Sequence, residues 1–231
     1  MKNKVYGYSS IICYVISFLI LIFCINIKII PNFYLNTQVK LILLSIVCIL
    51  IYIAGLILVK KLNYNKKILR VNLIIYFLIY TVTIFSLTLF DEIYGRQGLI
   101  IIDWDKDLLN TYLNNSFNLV PFETIKLFTN GYIKGIVNLK NFSVNIIGNF
   151  LAFMPYGIFF PLIFKSMRKY YKFLITMIII VVVIELLQFV TMSGSCDIDD
   201  LILNILGASI VYFITKINCI NNLINRLFLL E

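Results

Sequence analysis

Six stretches of the chain stay apolar long enough to cross a bilayer, and clusters of charged residues separate most of them. A helix spanning about 30 Å of hydrocarbon needs roughly 20 such residues. The candidate spans are residues 8–27, 41–59, 71–90, 142–164, 173–192 and 197–215. The fifth contains one charge, Glu185, and the sixth opens with three acids before running uncharged from 201 to 215. The pattern predicts an all-α polytopic membrane helix bundle of about six transmembrane helices. Between the third and fourth spans lies a long connection, about 91–141, whose length implies structure or function of its own. Within it, GLIIIDWD (98–105) is too short to span and reads as a buried strand. PFETIKLF (121–128) reads as a short helix lying on or dipping into the membrane surface, with Pro121 in its first turn, Glu123 near its positive end, and Phe122, Ile125 and Phe128 on one face. The chain is expected to divide into an N-terminal three-helix membrane region, 1–90, and a region 91–231 made of the outer loop 91–141 and the last three spans.

Basic residues follow the alternation of the spans. With the N-terminus inside, the inner segments carry Lys2, Lys4, Lys60, Lys61, Lys66, Lys67, Arg70, Lys165, Arg168, Lys169, Lys172, Lys216 and Arg226 against one acid, Glu231. Positive charge retained on the cytoplasmic side sets orientation, so both termini are expected inside and the loop 91–141 outside. The net charge of +9 is then mostly a topology signal, with attraction to anionic lipid as a secondary consequence. The basic residues form no patch interleaved with aromatic platforms, so nucleic acid is not an expected partner.

Composition narrows the chemistry. Hydrophobic residues make up 61% of the chain, charged residues 13%, and mean hydropathy is +0.96, far from the roughly 25% charged residues of a soluble domain. No histidine is present, which removes a serine triad and leaves no ordinary zinc site. The five cysteines form no CxxC pair and read as small hydrophobes.

Polar residues nonetheless recur on one face of each of the last three spans. In the fourth, Asn145, Gly148, Asn149 and Ala152 share a face, followed by Pro155 and Gly157. In the fifth, Glu185 and Gln188 do so, and in the sixth Asp197, Asp200, Asn204 and Gly207 follow at spacings of three, four and three. Asp199 falls on another face and is expected to point to solvent. Asp197 is placed to cap the sixth helix. With the orientation given above, all three faces sit in the outer half of the membrane. An intramembrane acid normally faces protein or water and marks a functional site. The agreement in depth predicts one shared polar pocket, open toward the outer surface, built from Asn145, Asn149, Glu185, Gln188, Asp197, Asp200 and Asn204.

The same residues resemble the VanZ-like family of bacterial membrane proteins over about 118–212. NLVPF (118–122) is similar to that family's Asn-x-x-Pro-Phe block, and NIIGNFLAFMPYGIFFP (145–161) to its Asn-x-x-Gly-Asn-x-x-x-Phe-x-Pro-x-Gly block. IELLQ (184–188) is similar to its Glu-x-x-Gln pair, and DIDDLILNILG (197–207) to its Asp-x-x-Asp-x-x-x-Asn-x-x-Gly helix. One departure stands out: many relatives carry an arginine shortly before the first aspartate, whereas TMSGSC (191–196) holds no base. A loop lysine or Arg96 is the available substitute. The resemblance adds Asn118, Pro121 and Phe122 to the expected binding residues and places the chain in the bacterial cell membrane. It implies an accessory role in the cell envelope, associated with reduced susceptibility to teicoplanin, a glycopeptide antibiotic with a fatty acyl tail.

Two functions compete at this point. In the first, a non-enzymatic protein binds membrane lipid, a lipid-tailed glycopeptide or a lipid-linked envelope precursor in the outward pocket, with no cofactor. In the second, a membrane enzyme uses Glu185 as general acid or base, with Asp197, Asp200 and Asn204 holding Mg²⁺ or another divalent cation through oxygen ligands. A proton-coupled transporter using Glu185 ranks below both, since no inverted repeat is visible.

Overall fold

The computed structural model describes residues 2–26, 37–63, 65, 67–90, 106–191 and 194–228. Arg96 and the strand expected at 98–105 lie outside the described residues. Packing resolves two compact units, Met1–Thr81 with Asn222–Glu231, and Val82–Asn221.

The first unit holds α1 (Lys2–Asn26), α2 (Thr37–Leu62), the first part of α3 (Lys67–Phe90) and the end of α11 (Asn218–Phe228). Its interior is tied by one buried amide. Asn72 Nδ2 donates to the Ile51 carbonyl (3.0 Å), and Asn72 Oδ1 accepts from the Tyr14 hydroxyl (3.2 Å). Gly55 lets α3 approach α2, because a Cβ there would overlap the Asn72 amide.

The second unit continues α3 from Val82 and adds α4 (Lys106–Asn115), β1 (Phe117–Asn118), α5 (Glu123–Ile133) and α6 (Leu139–Phe142). A π-helical turn, Ser143–Gly148, joins α6 to α7 (Asn149–Ala152), which is followed by α8 (Tyr156–Ile163). A 3₁₀ turn, Lys165–Arg168, leads to α9 (Tyr170–Thr191), then β2 (Cys196–Asp197) and α10 (Ile198–Ile214). The strands β1 and β2 form a two-residue parallel pair, Phe117 opposite Cys196 and Asn118 opposite Asp197.

Five stretches among the described residues are long and apolar enough to cross a membrane: Asn3–Cys24, Thr37–Leu62, Lys67–Leu89, Leu139–Ile163 and Tyr170–Thr191. The helix α10, with 17 residues and about 26 Å at 1.5 Å per residue, makes a sixth candidate span together with α11, from which it is bent by 86°. The all-α polytopic architecture is thus the one expected. Helix α9 shows how the spans meet their surroundings. Phe173, Met177, Val181, Ile184, Glu185 and Gln188 are buried, while Ile175, Ile179, Leu186 and Val190 are exposed. Past its first turn, Glu185 and Gln188 face protein and the exposed side chains are aliphatic, the arrangement a lipid solvent selects.

The fourth span is broken instead of merely kinked. After the π turn and the single turn of α7, the chain stops being helical at 153–155 and restarts at α8 with Pro155 as its N-cap. Proline has no N–H to donate, and its ring clashes with the carbonyl four residues back. The break is held by close approach to α10. A Cβ at Gly157 would collide with the Ala208 carbonyl and the Tyr212 amide, and one at Gly207 with the Phe150 carbonyl. Below this seam the rings of Phe173 and Tyr212 stack at 4.6 Å, and the Tyr212 hydroxyl donates to the Arg168 carbonyl at 2.5 Å.

Two local expectations are corrected. Helix α5 starts at Glu123, so Pro121 precedes it in place of occupying its first turn, and Phe122 is the N-cap in the left-handed region (φ 68). That backbone turns the Phe122 side chain off the helix face, leaving it exposed while Ile125 and Phe128 are half-buried. The helices α4 and α11 were not anticipated. In α11, Ile220, Leu223, Ile224, Leu227 and Phe228 recur at helical spacing against Asn221, Asn222, Asn225 and Arg226, a surface-helix pattern hidden in a segment too polar to span.

The α7–α10 contact makes a direct prediction. The atoms facing Gly207 are backbone, which cannot rotate away, so Gly207→Ala should cost about 1–3 kcal/mol, read as a lower thermal unfolding temperature in detergent. Gly7→Ala, on α1 with nothing within 4 Å of the added methyl, should leave that temperature unchanged or slightly raised.

Candidate functional site

The first two turns of α10 organise the polar residues of the second unit. The side chain of Asp197 caps the helix as expected, its Oδ1 accepting from the Asp199 amide (2.8 Å) and from Asn118 Nδ2 (3.2 Å). The backbone amide of Asp197 donates to Glu185 Oε2 (3.1 Å). That bond joins α9 to the entrance of α10 and leaves Glu185 only 8% exposed. One turn on, Asp200 Oδ1 accepts from Asn149 Nδ2, which also donates to the Asn145 carbonyl (3.1 Å).

Asp199 does not point to solvent. It is 0% exposed, and its carboxylate accepts the Phe122 amide on Oδ1 (2.5 Å) and the Ile125 amide on Oδ2 (3.0 Å). The physical reason lies in α5. Its N-cap is a phenylalanine with no side-chain acceptor, so the free amides of its first turn need one from elsewhere, and a carboxylate suits the positive end of the helix. The N-terminal sequence NLVPFET, with no Ser, Thr, Asp or Asn directly before Glu123, was the available signal. The Asp199 bond also holds Phe122 in a left-handed conformation that costs a non-glycine residue about 1–3 kcal/mol.

Asn118 completes the same link. Its Nδ2 donates to Thr124 Oγ1 (3.0 Å) as well as to Asp197, and its Oδ1 accepts from the Val120 amide (2.9 Å). Together with the β1–β2 pair and the bond from the Tyr112 hydroxyl to the Gly194 carbonyl (2.6 Å), it fastens the segment before the fourth span to the entrance of α10.

Deeper on α10 lies a cavity of about 20 Å³ whose polar wall is Thr88, Asn149, Glu185, Gln188, Asp200 and Asn204. Of the residues expected to share a pocket, the structure therefore brings Asn149, Glu185, Gln188, Asp200 and Asn204 together. Asn145 is not among them: the π turn displaces the face it would share with Asn149, and its Nδ2 bonds back to the Asn141 carbonyl (2.8 Å). Asp197, Asn118, Pro121 and Phe122 also stand off the cavity, in the link above it. Thr88, on α3, was missed, and nothing in its sequence context marked it.

Two acceptors in the cavity wall have no partner. Gln188, 2% exposed, donates through Nε2 to the Thr88 carbonyl (2.9 Å), and its Oε1 is buried without a hydrogen bond. Asn204, 5% exposed, has its Oδ1 in the same condition. No lysine or arginine is among the described residues lining the cavity. Negative charge is felt at its edge: burial first, then the carboxylates of Glu185, Asp197 and Asp200, push the thiol of Cys196 up to about 11.

Two outcomes follow from this geometry. Asp199→Ala removes the acceptor of two α5 amides, so hydrogen exchange at Phe122 and Ile125 should speed up by about an order of magnitude or more, matching the roughly 1–3 kcal/mol of an unsatisfied buried donor. Cys196 should alkylate at pH 8 about a hundredfold more slowly than an exposed thiol, since only the thiolate reacts. Glu185→Gln removes one of the charges that raise its pKa and should accelerate that reaction, read by site-resolved mass spectrometry.

No curated protein and no solved structure matches the chain. A family model does match, described as VanZ/LLP1, over residues 77–220. That range takes in the end of α3, the link to α10, the broken fourth span and every residue lining the cavity. The chain belongs to the VanZ/LLP1 family.

Proposed function

We propose that this membrane protein binds the headgroup of a lipid-tailed molecule at the outer face of the bacterial cell membrane, without transforming it. The observation that carries the reading is the convergence of Asn149, Glu185, Gln188, Asp200 and Asn204 on one cavity with two unpartnered oxygens. The alternation of basic residues along the chain supports an outer-leaflet position for that cavity. Its wall is rich in acceptors, so it suits a ligand that brings a donor or a positive charge. At about 20 Å³ it admits a single small group. The rest of the headgroup would lie along the link, where Leu119, Val120 and Phe122 are exposed and offer apolar contact to an acyl chain. Sequestering such molecules, or altering their packing, would lower susceptibility to teicoplanin and other lipid-tailed glycopeptides. Membrane lipids and lipid-linked envelope precursors are the other ligand classes of this chemistry.

One observation favours the enzymatic alternative. The Glu185 carboxylate lines the same cavity as the unpartnered oxygens, where an acid–base group would face a bound substrate. The cation ligands first expected, Asp197, Asp200 and Asn204, do not all line it, since Asp197 is committed to the helix cap and to Asn118.

Purified protein titrated with defined envelope lipids and with teicoplanin should show saturable binding to at least one of them, weakened tenfold or more in Asp200→Ala, about 1.4 kcal/mol. Absence of saturable binding to any of them would refute the reading. Turnover of a labelled lipid-linked precursor, abolished by Glu185→Gln, would replace it with the enzymatic one.

A further inference from the structure

The cavity holds an unusual balance of polar atoms. Its two carboxylates, Glu185 and Asp200, are each at least nine-tenths buried. Its amides are turned so that oxygens remain as acceptors. Only an amide NH₂ can donate to a carbonyl or a carboxylate, so the bond from Gln188 to the Thr88 carbonyl and the bond from Asn149 to Asp200 fix which end of each side chain is oxygen. Gln188 Oε1 is thereby left as a buried acceptor without a partner, Asn204 Oδ1 is in the same condition, and each such group costs about 1–3 kcal/mol if nothing satisfies it.

We propose that this cavity is a binding site for one hard divalent cation, held by the carboxylates of Glu185 and Asp200 and the side-chain oxygens of Gln188 and Asn204. Two formal negative charges and neutral amide oxygens are the donor set of Mg²⁺, Mn²⁺ or Ca²⁺. Among the described residues no group of three His, Cys, Asp or Glu side chains stands ready for a metal, and the donors are oxygen, which points away from zinc or copper. The volume of about 20 Å³ fits a monatomic ion or one water and is too small for a whole headgroup. The cation neutralises two acids placed in a span and satisfies both orphaned oxygens at once. The site stands whether or not a lipid binds. Where one does, the ion gives an acceptor-lined cavity the positive charge needed to hold a phosphate.

Manganese alone tests this, titrated into the full-length protein in a non-ionic detergent that does not itself bind the ion, with free Mn²⁺ followed by its electron paramagnetic resonance signal. One Mn²⁺ should bind per chain and be displaced by Mg²⁺ or Ca²⁺. Asp200→Asn and Asn204→Leu should each weaken it about 10–100-fold. Asn204→Leu also guards against simple misfolding. It replaces an unsatisfied acceptor with an apolar group of similar size, so its unfolding temperature in chelator should equal or exceed that of the wild type. No bound Mn²⁺ above the detergent background, or binding that survives both substitutions unchanged, would overturn the site. Lipid binding measured separately with the same protein keeps a failure here distinct from a failure of the headgroup reading.

Discussion

Lipid offers no hydrogen bonds, so every polar group carried into a span must be met by protein. In the second unit that requirement falls on the start of α10. Three acids within four positions reach in three directions: Asp197 to its own helix end and to Asn118, Asp199 to the amides of α5, and Asp200 to Asn149 on α7. The backbone amide of Asp197 adds Glu185 on α9. Moving the first turn of α10 would disturb all of these segments together. A charge cluster that looks like an ordinary helix start is therefore the joint of the unit, and its cost in desolvation is offset bond by bond.

Close packing lets the joint work. Gly157 and Gly207 admit backbone against backbone where α8 and α7 meet α10, the means by which helices associate in a solvent as apolar as their own surfaces. The broken fourth span belongs to the same design. A straight helix from Leu139 to Ile163 would need Pro155 to make a hydrogen bond it cannot make. The break and the preceding π turn let Asn149 reach Asp200 while the aromatic rings below pack against Tyr212.

The spans were legible because a run of about 20 apolar residues has few other uses, and the polar face of α10 because spacings of three and four survive in any helix. The faces of α9 were legible only through Glu185 and Gln188, since a helix apolar on all sides carries no periodic signal of what it buries. Asp199 was misread for a related reason. Helical spacing tells which residues share a side but not what lies on the other side, and here that was the first turn of α5 instead of water. Asn145 was misplaced because a face drawn at 3.6 residues per turn does not hold through a π turn. Thr88 contributes a backbone carbonyl, and any residue at that position would offer the same atom.

The two units supply a comparison that bears on what the cavity is for. Asn72 is an amide buried among spans whose role is structural, and both of its ends are satisfied, one by a carbonyl and one by a hydroxyl. Gln188 and Asn204 are as deeply buried, yet each leaves its oxygen unmet. The unmet oxygen adds nothing to the packing of its helix, even where the amide's other end is bonded, as Gln188 Nε2 is to the Thr88 carbonyl. Leucine would fill similar space without the desolvation cost, and a purely structural polar residue is retained for the partner it finds inside the protein. Where the partner of the oxygen is not protein, and two carboxylates line the same small space, an ion or a water is a partner of the right size. The asymmetry between a satisfied amide in one unit and two unsatisfied ones in the other is the physical ground on which the proposed ion site rests.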